Sequence, residues 1–393
     1  MTSLQNSLVA NYDELAARAL AHLRDGTTDQ ASDQMSVPVA AYLDEERYRR
    51  EIDGIFGKVP VSIAMSLELP EPGSFLARTV MDLPLLITRD REGNANVFLN
   101  VCRHRGAKVC ADGAGKQSKF SCPYHAWVYD NTGKLTGMYG EKSFGDSDRD
   151  SLSLTRLPSA ERHGIIFASL KPESTFDIDS WLGEMGDCLA TLQLDKLYLA
   201  EVRELDSPGW KATLDGYLEV YHHDCVHRTT VGMHTIGNLL VHDTYGPHQR
   251  LTFARPTLKE LKDGSVPQGD GREYIRLIHS VFPNLSISGI LGEHCLVSQV
   301  WPASTPDRTI TRQFLLASSA PTTDEQRNAI EVFGEMTLQA VRDEDYAIVS
   351  TIQAGLGSGA NKEFLFGRNE PGLQHYHTWV ERLMTEDSST LGL

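Results

Sequence analysis

Four residues in two short segments have the types and spacing to hold a metal cluster. Cys102-Arg-His104 offers one thiolate and one imidazole, and after 17 further residues Cys122-Pro-Tyr-His125 offers the same pair. Two irons bridged by two sulfides need four protein ligands. When two are Cys on one iron and two are His on the other, the reduction potential rises well above that of the all-Cys form. One Cys and one His per loop lets each loop touch both irons. Zinc also accepts two Cys and two His, but zinc modules usually present like pairs such as Cys-x2-Cys. Four unliganded side chains at this spacing is the bland alternative. The flanks Arg103, Arg105-Gly106 and Pro123-Tyr124 suit a tight loop around a cluster. A [2Fe–2S] cluster on Cys102, His104, Cys122 and His125 is therefore expected.

A second concentration of ligand-type residues runs from Trp210 to His227 and contains Glu219, His222, His223 and His227. Ferrous iron that activates dioxygen is held by two His and one carboxylate on one face, with the other positions open. Plain helical geometry favours His223 with His227, four apart on one face. The carboxylate must come from elsewhere. In the segment Val341–Ile352, the residues Val341, Ile348, Val349 and Ile352 share one helical face, and Asp345 falls within it. An acid there is buried unpaired unless it binds something positive. Asp343 lies on the opposite side, and Glu344 borders the stripe as the reserve candidate. Glu219, three residues before His222, reads otherwise as a surface salt-bridge partner.

The segments Phe98-Leu-Asn-Val-Cys-Arg-His-Arg-Gly106 and Cys122-Pro-Tyr-His-Ala-Trp-Val-Tyr-Asp130 resemble the cluster loops of Rieske non-haem iron oxygenase α subunits. Ala126 stands where that family usually has Gly, and Cys110 is an additional cysteine near the first loop. Rieske proteins of respiratory complexes carry an extra Cys in each loop, and the second loop here has none. The family's Glu/Asp-x-Tyr-His-x4-His pattern implies His222 with His227 as iron ligands, with His223 left as a second-layer or solvated residue. That five-residue spacing requires the helix to end or bulge between them. Glu344-Asp345 followed by Gln353-Ala-Gly-Leu356 matches the family's third-ligand region and implies Asp345. A carboxylate at Glu219 resembles the family's bridge between the cluster of one subunit and the iron of its neighbour. Pro72-Gly73, Arg89-Asp90, Phe282-Pro-Asn-Leu285 and Glu370-Pro-Gly extend the likeness over nearly the whole chain from about residue 40.

The resemblance implies electrons from NADH or NADPH through a reductase or ferredoxin, and dioxygen activation at a mononuclear Fe(2+). It also implies hydroxylation, cis-dihydroxylation or oxidative dealkylation of a small molecule. A hydrophobic, often aromatic, substrate is the first expectation; a carnitine- or betaine-like quaternary amine is the alternative. Met233, Ile236, Leu239, Leu240, Phe253 and Ile287 are candidates for an apolar pocket, each as readily core. A head-to-tail trimer is implied, with the presence of a β subunit left open. The rivals from other classes are a non-catalytic Rieske electron carrier, which leaves half the chain unexplained, and a zinc-binding structural protein.

The elements that must position these residues fall into three stretches. The first, 1–40, is a helical arm with Leu4, Leu8, Tyr12, Leu15 and Ala19 on one face, then a polar linker over Thr27–Val37. The second, 41–175, holds a helix over Asp44–Phe56 and then short apolar runs alternating with turn signals, which read as an all-β Rieske domain. The third, 176–393, is mixed. It has helices over Ser180–Leu194 and Trp210–His223 and strands around Glu201–Asp206, Leu239–Thr244, Arg250–Phe253, Leu285–Ile290, Cys295–Trp301 and Thr309–Leu316. A long helix over Thr323–Gln353 follows. The expected class is α+β: a β-rich Rieske domain, and a catalytic domain with the family's helix-grip (START-like) fold, an antiparallel sheet around a long C-terminal helix.

The 393 residues suffice for two domains, and the net charge of −16 argues against nucleic acid as a partner, since phosphate binding needs clustered Lys and Arg. The N-terminus lacks a signal-peptide pattern and no apolar run approaches a membrane span, so a cytoplasmic location is expected. Six cysteines in such a chain do not read as a disulfide framework.

Overall fold

The computed structural model describes residues 3–261, 270–290 and 293–386, with side chains from Asn11 onward except that of Ile290. The face of the first helix therefore includes Leu4 and Leu8 only outside the described side chains. The described residues divide into two compact units, 53–181 on the one hand and those of 3–52 and 182–386 on the other.

The smaller unit is built from antiparallel hairpins. A five-stranded sheet has the order Arg156–Leu157, Ala95–Leu99, Leu83–Arg89, Ser74–Val80, Gly113–Lys116. A three-stranded sheet joins Lys119–Ser121, Val128–Asp130 and Leu135–Gly137. Aspartates close the turns: the Asp130 carboxylate accepts from Thr132 N at 2.9 Å and Lys134 N at 3.0 Å. Phe98, Phe120, Trp127, Tyr129 and Leu135 form a buried cluster that includes Cys102 and Cys122. The two thiols thus sit at the edge of a dry core, where hydration does not compete for them.

The larger unit is organised by a seven-stranded antiparallel sheet. Its order is Tyr198–Ser207, Thr309–Ala317, His294–Pro302, Leu285–Ile290, Ile275–Val281, His248–Ala254, Leu240–Tyr245. Alternation along each strand gives two faces. On one face the N-terminal helix Ser3–Asp25 packs Tyr12, Leu15, Ala19 and Leu20 against Val241, Ala254, Ile275 and Leu277. Full burial of Leu15 and Leu20 is worth about 1.5–3 kcal/mol each. On the other face Leu296 and Leu315 meet Phe333, Val341 and Tyr346 of the long C-terminal helix. That helix starts at a Thr323/Gln326 capping box and runs Asp324–Leu338, then a π-helical stretch Gln339–Asp345, then Tyr346–Leu356. This is the expected α+β architecture, with the sheet around a long helix. Among the described residues no helix is long and apolar enough to cross a membrane.

Several local expectations differ. Residues 41–52, grouped by sequence with the β-rich domain, belong to the larger unit. The Tyr42 hydroxyl donates to Asp215 at 2.7 Å, and the buried Glu51 carboxylate pairs with buried Lys211 and with Arg47 Nε at 2.8 Å. The Thr27–Val37 stretch is not a free linker: Asp29 N donates to Leu240 O, and Met35–Pro38 pairs with Glu363–Phe366. The helix expected over Trp210–His223 ends at Asp215, next to Gly216. Ile348 and Ile352 are exposed, because the π-helical stretch adds a residue per turn just before them and rotates the face inferred from regular spacing. The Ile275–Val281 strand, preceded by charged Arg272 and Glu273 and itself containing Arg276, escaped the sequence reading.

Candidate metal centres

Two loops carry Cys102, His104, Cys122 and His125, and each follows a strand of the smaller unit. They repeat one hydrogen-bond pattern. Cys102 N donates to Ala107 O at 2.8 Å and Gly106 N to Cys102 O at 2.9 Å; Cys122 N donates to Trp127 O at 2.8 Å and Ala126 N to Cys122 O at 2.9 Å. The fifth residue of each loop is left-handed, with φ of 77° at Gly106 and 53° at Ala126. Glycine adopts this conformation at no steric cost and alanine does not, which explains why Gly is the usual residue at the second position.

The loops bring the four side chains together. The His104 and His125 rings lie 4.6 Å apart between centroids, and His104 stacks on Trp127 at 4.9 Å. Burial pushes the Cys102 thiol up, the Tyr129 hydroxyl 3.3 Å away pulls it back, and the nearby Cys122 sulfur adds to the rise. His104 Nδ1 is buried with no hydrogen-bond partner among the described residues. A ligand-type nitrogen orphaned beside two buried thiols fits a metal cluster, which would satisfy it. The structure contains no disulfide among the described residues, and all six cysteines are free.

The larger unit holds the second constellation. After Gly216 the backbone turns irregularly and then makes a single helical turn, His223–Val226. His222 is the residue before that turn and His227 the residue after it, with φ −94° and ψ 38°. The five-residue spacing is thereby accommodated by one short helical turn that lies between the two histidines, each of which stands at an end of it. His222 Nε2 and His227 Nε2 lie 3.2 Å apart. Asp345 Oδ1, at the end of the π-helical stretch, is 3.0 Å from His227 Nε2 and 3.5 Å from His222 Nε2. Ligands about 2.1 Å from one metal and mutually at right angles stand about 3.0 Å apart, so this triangle has the size of one octahedral face.

Carboxylates fix both rings. Glu219 accepts from His222 Nδ1, from Tyr221 N and from His222 N at 3.1 Å. Glu344 accepts from His227 Nδ1 at 2.7 Å and from the Thr230 hydroxyl. Each Nδ1 carries its proton toward an acid, which leaves each Nε2 lone pair for a metal. Burial opposes charging of His227, but Asp345 and Glu344 outweigh it and raise its pKa, so the site favours positive charge. Glu344, the reserve ligand in the sequence reading, is instead the acid that orients His227. Its signal was its position beside Asp345, which could not reveal which atom it faces.

His223 is a third imidazole within 4.8 Å of the other two. Its Nδ1 pairs with Thr235 Oγ1 at 3.2 Å, and burial with repulsion from His222 and His227 keeps it neutral. Its ring edge faces Phe253, 5.6 Å away. The tight triangle is His222, His227 and Asp345.

A cavity of about 300 Å³ opens beside this triangle. Phe253, Ile278, Leu296, Phe333, Met336 and Val341 give it an apolar wall, with Arg255 and Arg276 also lining it. Of the pocket residues proposed from sequence, Phe253 alone lines this cavity. Leu239, Leu240 and Ile287 are core, Ile236 packs against the N-terminal helix cluster, and Met233 is 59% exposed. A second cavity, of about 500 Å³, lies on the Glu219 side and is lined by Ile348, Ile352, Leu365 and Glu370.

The described geometry agrees with comparisons to known proteins. Residues 59–145 match the Rieske [2Fe-2S] domain and residues 197–386 match the ring hydroxylating alpha subunit (catalytic domain). The chain is 26% identical to the glycine betaine monooxygenase oxygenase subunit of Chromohalobacter salexigens, over 95% of this chain and 93% of that one. It is 33% identical to the N,N-dimethyl phenylurea N-demethylase subunit alpha of a Sphingobium species, over 54% of this chain and 48% of that one. The quaternary ammonium Rieske monooxygenase CntA with L-carnitine superposes with a TM-score of 0.76 at 21% identity, covering 89% of this chain and 96% of that one. The last likeness concerns the fold alone. The cluster loops, the two-histidine-one-carboxylate triangle and the two domain matches converge: the chain belongs to the Rieske non-haem iron oxygenase α subunits, terminal oxygenases that carry a [2Fe–2S] cluster and a mononuclear iron and draw electrons from NAD(P)H through a reductase.

Proposed function

We propose that His222, His227 and Asp345 hold the mononuclear iron, that Cys102, His104, Cys122 and His125 hold the cluster, and that the enzyme oxidises a small molecule seated in the cavity beside the iron site. The observation that carries this reading is the Nε2–Nε2–Oδ1 triangle, with edges of 3.0–3.5 Å, opening onto a mostly apolar cavity of about 300 Å³. When bound, the iron activates dioxygen and the cluster supplies electrons. The chain's own residues do the rest. Glu219 and Glu344 keep both Nε2 atoms aimed at one point, and the wall from Phe253 to Val341 excludes water and holds an apolar body next to it.

Insertion of oxygen by hydroxylation, cis-dihydroxylation or dealkylation suits such a cavity. An aromatic or otherwise hydrophobic substrate is favoured by the lining. The quaternary-amine alternative is supported by likeness over 95% of the chain to a glycine betaine monooxygenase subunit. Aromatic rings at Tyr217, Phe253 and Phe333 could face an ammonium group.

Glu219 is further assigned the bridging role between its own iron and the cluster of a neighbouring subunit in a head-to-tail homotrimer in the cytoplasm, with a β subunit as an optional addition. Support comes from the surface around it. Tyr221 is 58% exposed, and Ile348, Ile352 and Leu365 expose apolar area around the open cavity that Glu219 lines. A head-to-tail interface forms a ring when the rotation between neighbours closes, as the proposed trimer requires.

The test is anaerobic purification, metal and sulfide analysis, and turnover with a reductase. About three irons and two sulfides per chain, with oxygen-dependent consumption of a small molecule, are expected. Zinc without sulfide overturns the reading. A catalytically competent monomer in a solution mass measurement removes the cross-subunit path.

A further inference from the structure

Resting on the oxygenase reading above, we infer that the cavity beside His222, His227 and Asp345 takes a substrate bearing a carboxylate, held by Arg255 and Arg276, with its apolar part lying toward the metal triangle.

The placement follows from strand register. Phe253 is opposite Arg276, and Arg255 N donates to Tyr274 O at 2.8 Å. Arg255 and Arg276 are therefore diagonal neighbours on one face of the sheet. Ile278, two residues beyond Arg276, shares that face, and the register carries it on through Ser288 to Leu296. This is the cavity face; the other face is covered by the N-terminal helix. Two guanidinium groups thus stand on a wall that is otherwise largely apolar.

Neither of them has a carboxylate within ion-pair distance among the described residues. Other buried or half-buried arginines of this chain do: Arg78 pairs with Glu68, Arg89 with Glu161, Arg250 with Asp243, and Arg312 with Glu204. Arg255 and Arg276 are instead anchored by backbone carbonyls. Arg255 Nη1 donates to Glu273 O at 2.9 Å, and Arg276 Nη1 donates to Arg272 O and Ile275 O at 2.8 Å each. These bonds fix the groups, and the remaining N–H donors of each fork have no partner among the described residues. Burial, with repulsion from Arg255, pushes Arg276 down to about 10, and the exposed Glu293 offsets this only in part. Two like charges held together in a half-dry cavity are costly until an anion joins them.

A carboxylate is the compact planar anion that matches a guanidinium fork with two parallel hydrogen bonds. The same arrangement repels a simple cation at this end of the cavity. A zwitterion remains compatible, since its ammonium end can lie away from the arginines against aromatic rings. Aromatic acids and betaine-type acids therefore share the recognised group, and neutral aromatics and simple cations lack it.

The experiment measures equilibrium binding by calorimetry to the intact, metal-loaded protein, using benzoate against benzamide and glycine betaine against choline. Members of each pair differ in whether they carry the carboxylate. At least one acid is expected to bind about tenfold more tightly than its partner, with the preference weakening as salt rises. Preference in the first pair identifies an aromatic acid site, and preference in the second a betaine-type site. The double variant R255Q/R276Q, with iron and sulfide content unchanged, is expected to bring acid and partner within about twofold. The variant R276K is expected to keep part of the preference, since charge remains and the fork is lost. Equal binding within both pairs, no binding of either acid at millimolar concentration, or a preference that survives in the double variant overturns the proposal. Because binding is read without turnover, failure of the oxygenase reading shows separately, as missing iron or sulfide. If the double variant does not fold, the charge dependence is decided by R276K and the salt series in the parent protein.

Discussion

At the proposed cluster site, four side chains come from two loops 17 residues apart, and both loops repeat the same pair of backbone hydrogen bonds. At the proposed iron site, His222 and His227 come from one short turn, while Asp345 and Glu344 come from a helix that follows the seven-stranded sheet in sequence. His227 and its partner Glu344 are 117 positions apart. The first site is therefore encoded by short-range spacing and hairpin geometry. The second exists only when the sheet has formed and the long helix has docked on it. The cluster loops should respond to local backbone changes, and the iron site to changes in its carboxylates and in helix position.

The largest effect expected from this contrast is selective metal loss. The variant H227A should drop iron from about three to about two per chain, keep sulfide at two, and abolish oxygenation while the cluster absorption stays. The variant C122S should do the reverse, removing sulfide and the cluster absorption and leaving about one iron. Iron and sulfide analysis with visible spectra checks both. Loss of the cluster in H227A would show that the two sites are not built independently.

A smaller effect is expected at Glu344. E344Q keeps the size of the side chain but lets the His227 tautomer go, so affinity for ferrous iron should fall about 10–100-fold, with the cluster unaffected. Competition with a chelator measures it. Unchanged affinity would mean that Glu344 matters only for holding Thr230.

The smallest effect sharpens the comparison between the two cluster loops. A126G relieves a left-handed non-glycine residue and should stabilise the smaller unit by about 1 kcal/mol. G106A should cost about 1 kcal/mol through backbone strain alone, since a Cβ there meets nothing within 4 Å. Thermal unfolding of the holoprotein checks the pair. Opposite signs are expected because the two positions are equivalent in conformation and differ only in residue.

Much of this was legible in the chain. The proposed cluster ligands are separated by so little sequence that spacing and turn chemistry carry them, and Asp130-Asn-Thr-Gly marks its hairpin directly. The choice between His222 and His223 was not settled by helical spacing, because His223 and His227 do stand one helical turn apart, with His227 N donating to His223 O at 3.1 Å, and only the partners far along the chain or across the turn separate the rings: Thr235 for His223, Asp345 for His222. Ile348 and Ile352 misled for a related reason: the π-helical stretch at Gln339–Asp345 shifts the face after it. The grouping of residues 41–52 failed because the partners of Tyr42 and Glu51, Asp215 and Lys211, lie far along the chain. The Ile275–Val281 strand was hidden by charges beside it, and with it the placement of Arg276.

By itself, then, the sequence determined the residue types, the cluster spacing and the α+β class, which rest on local patterns of period two, period 3.6 and turn chemistry, and the family, which rests on the resemblance of its motifs. Tertiary structure alone decided which acid meets which histidine, which apolar residues line the cavity, and that two arginines with no carboxylate partner among the described residues share its wall. Those are matters of strand register and helix docking. They depend on contacts between residues whose separation in the chain carries no information about their separation in space.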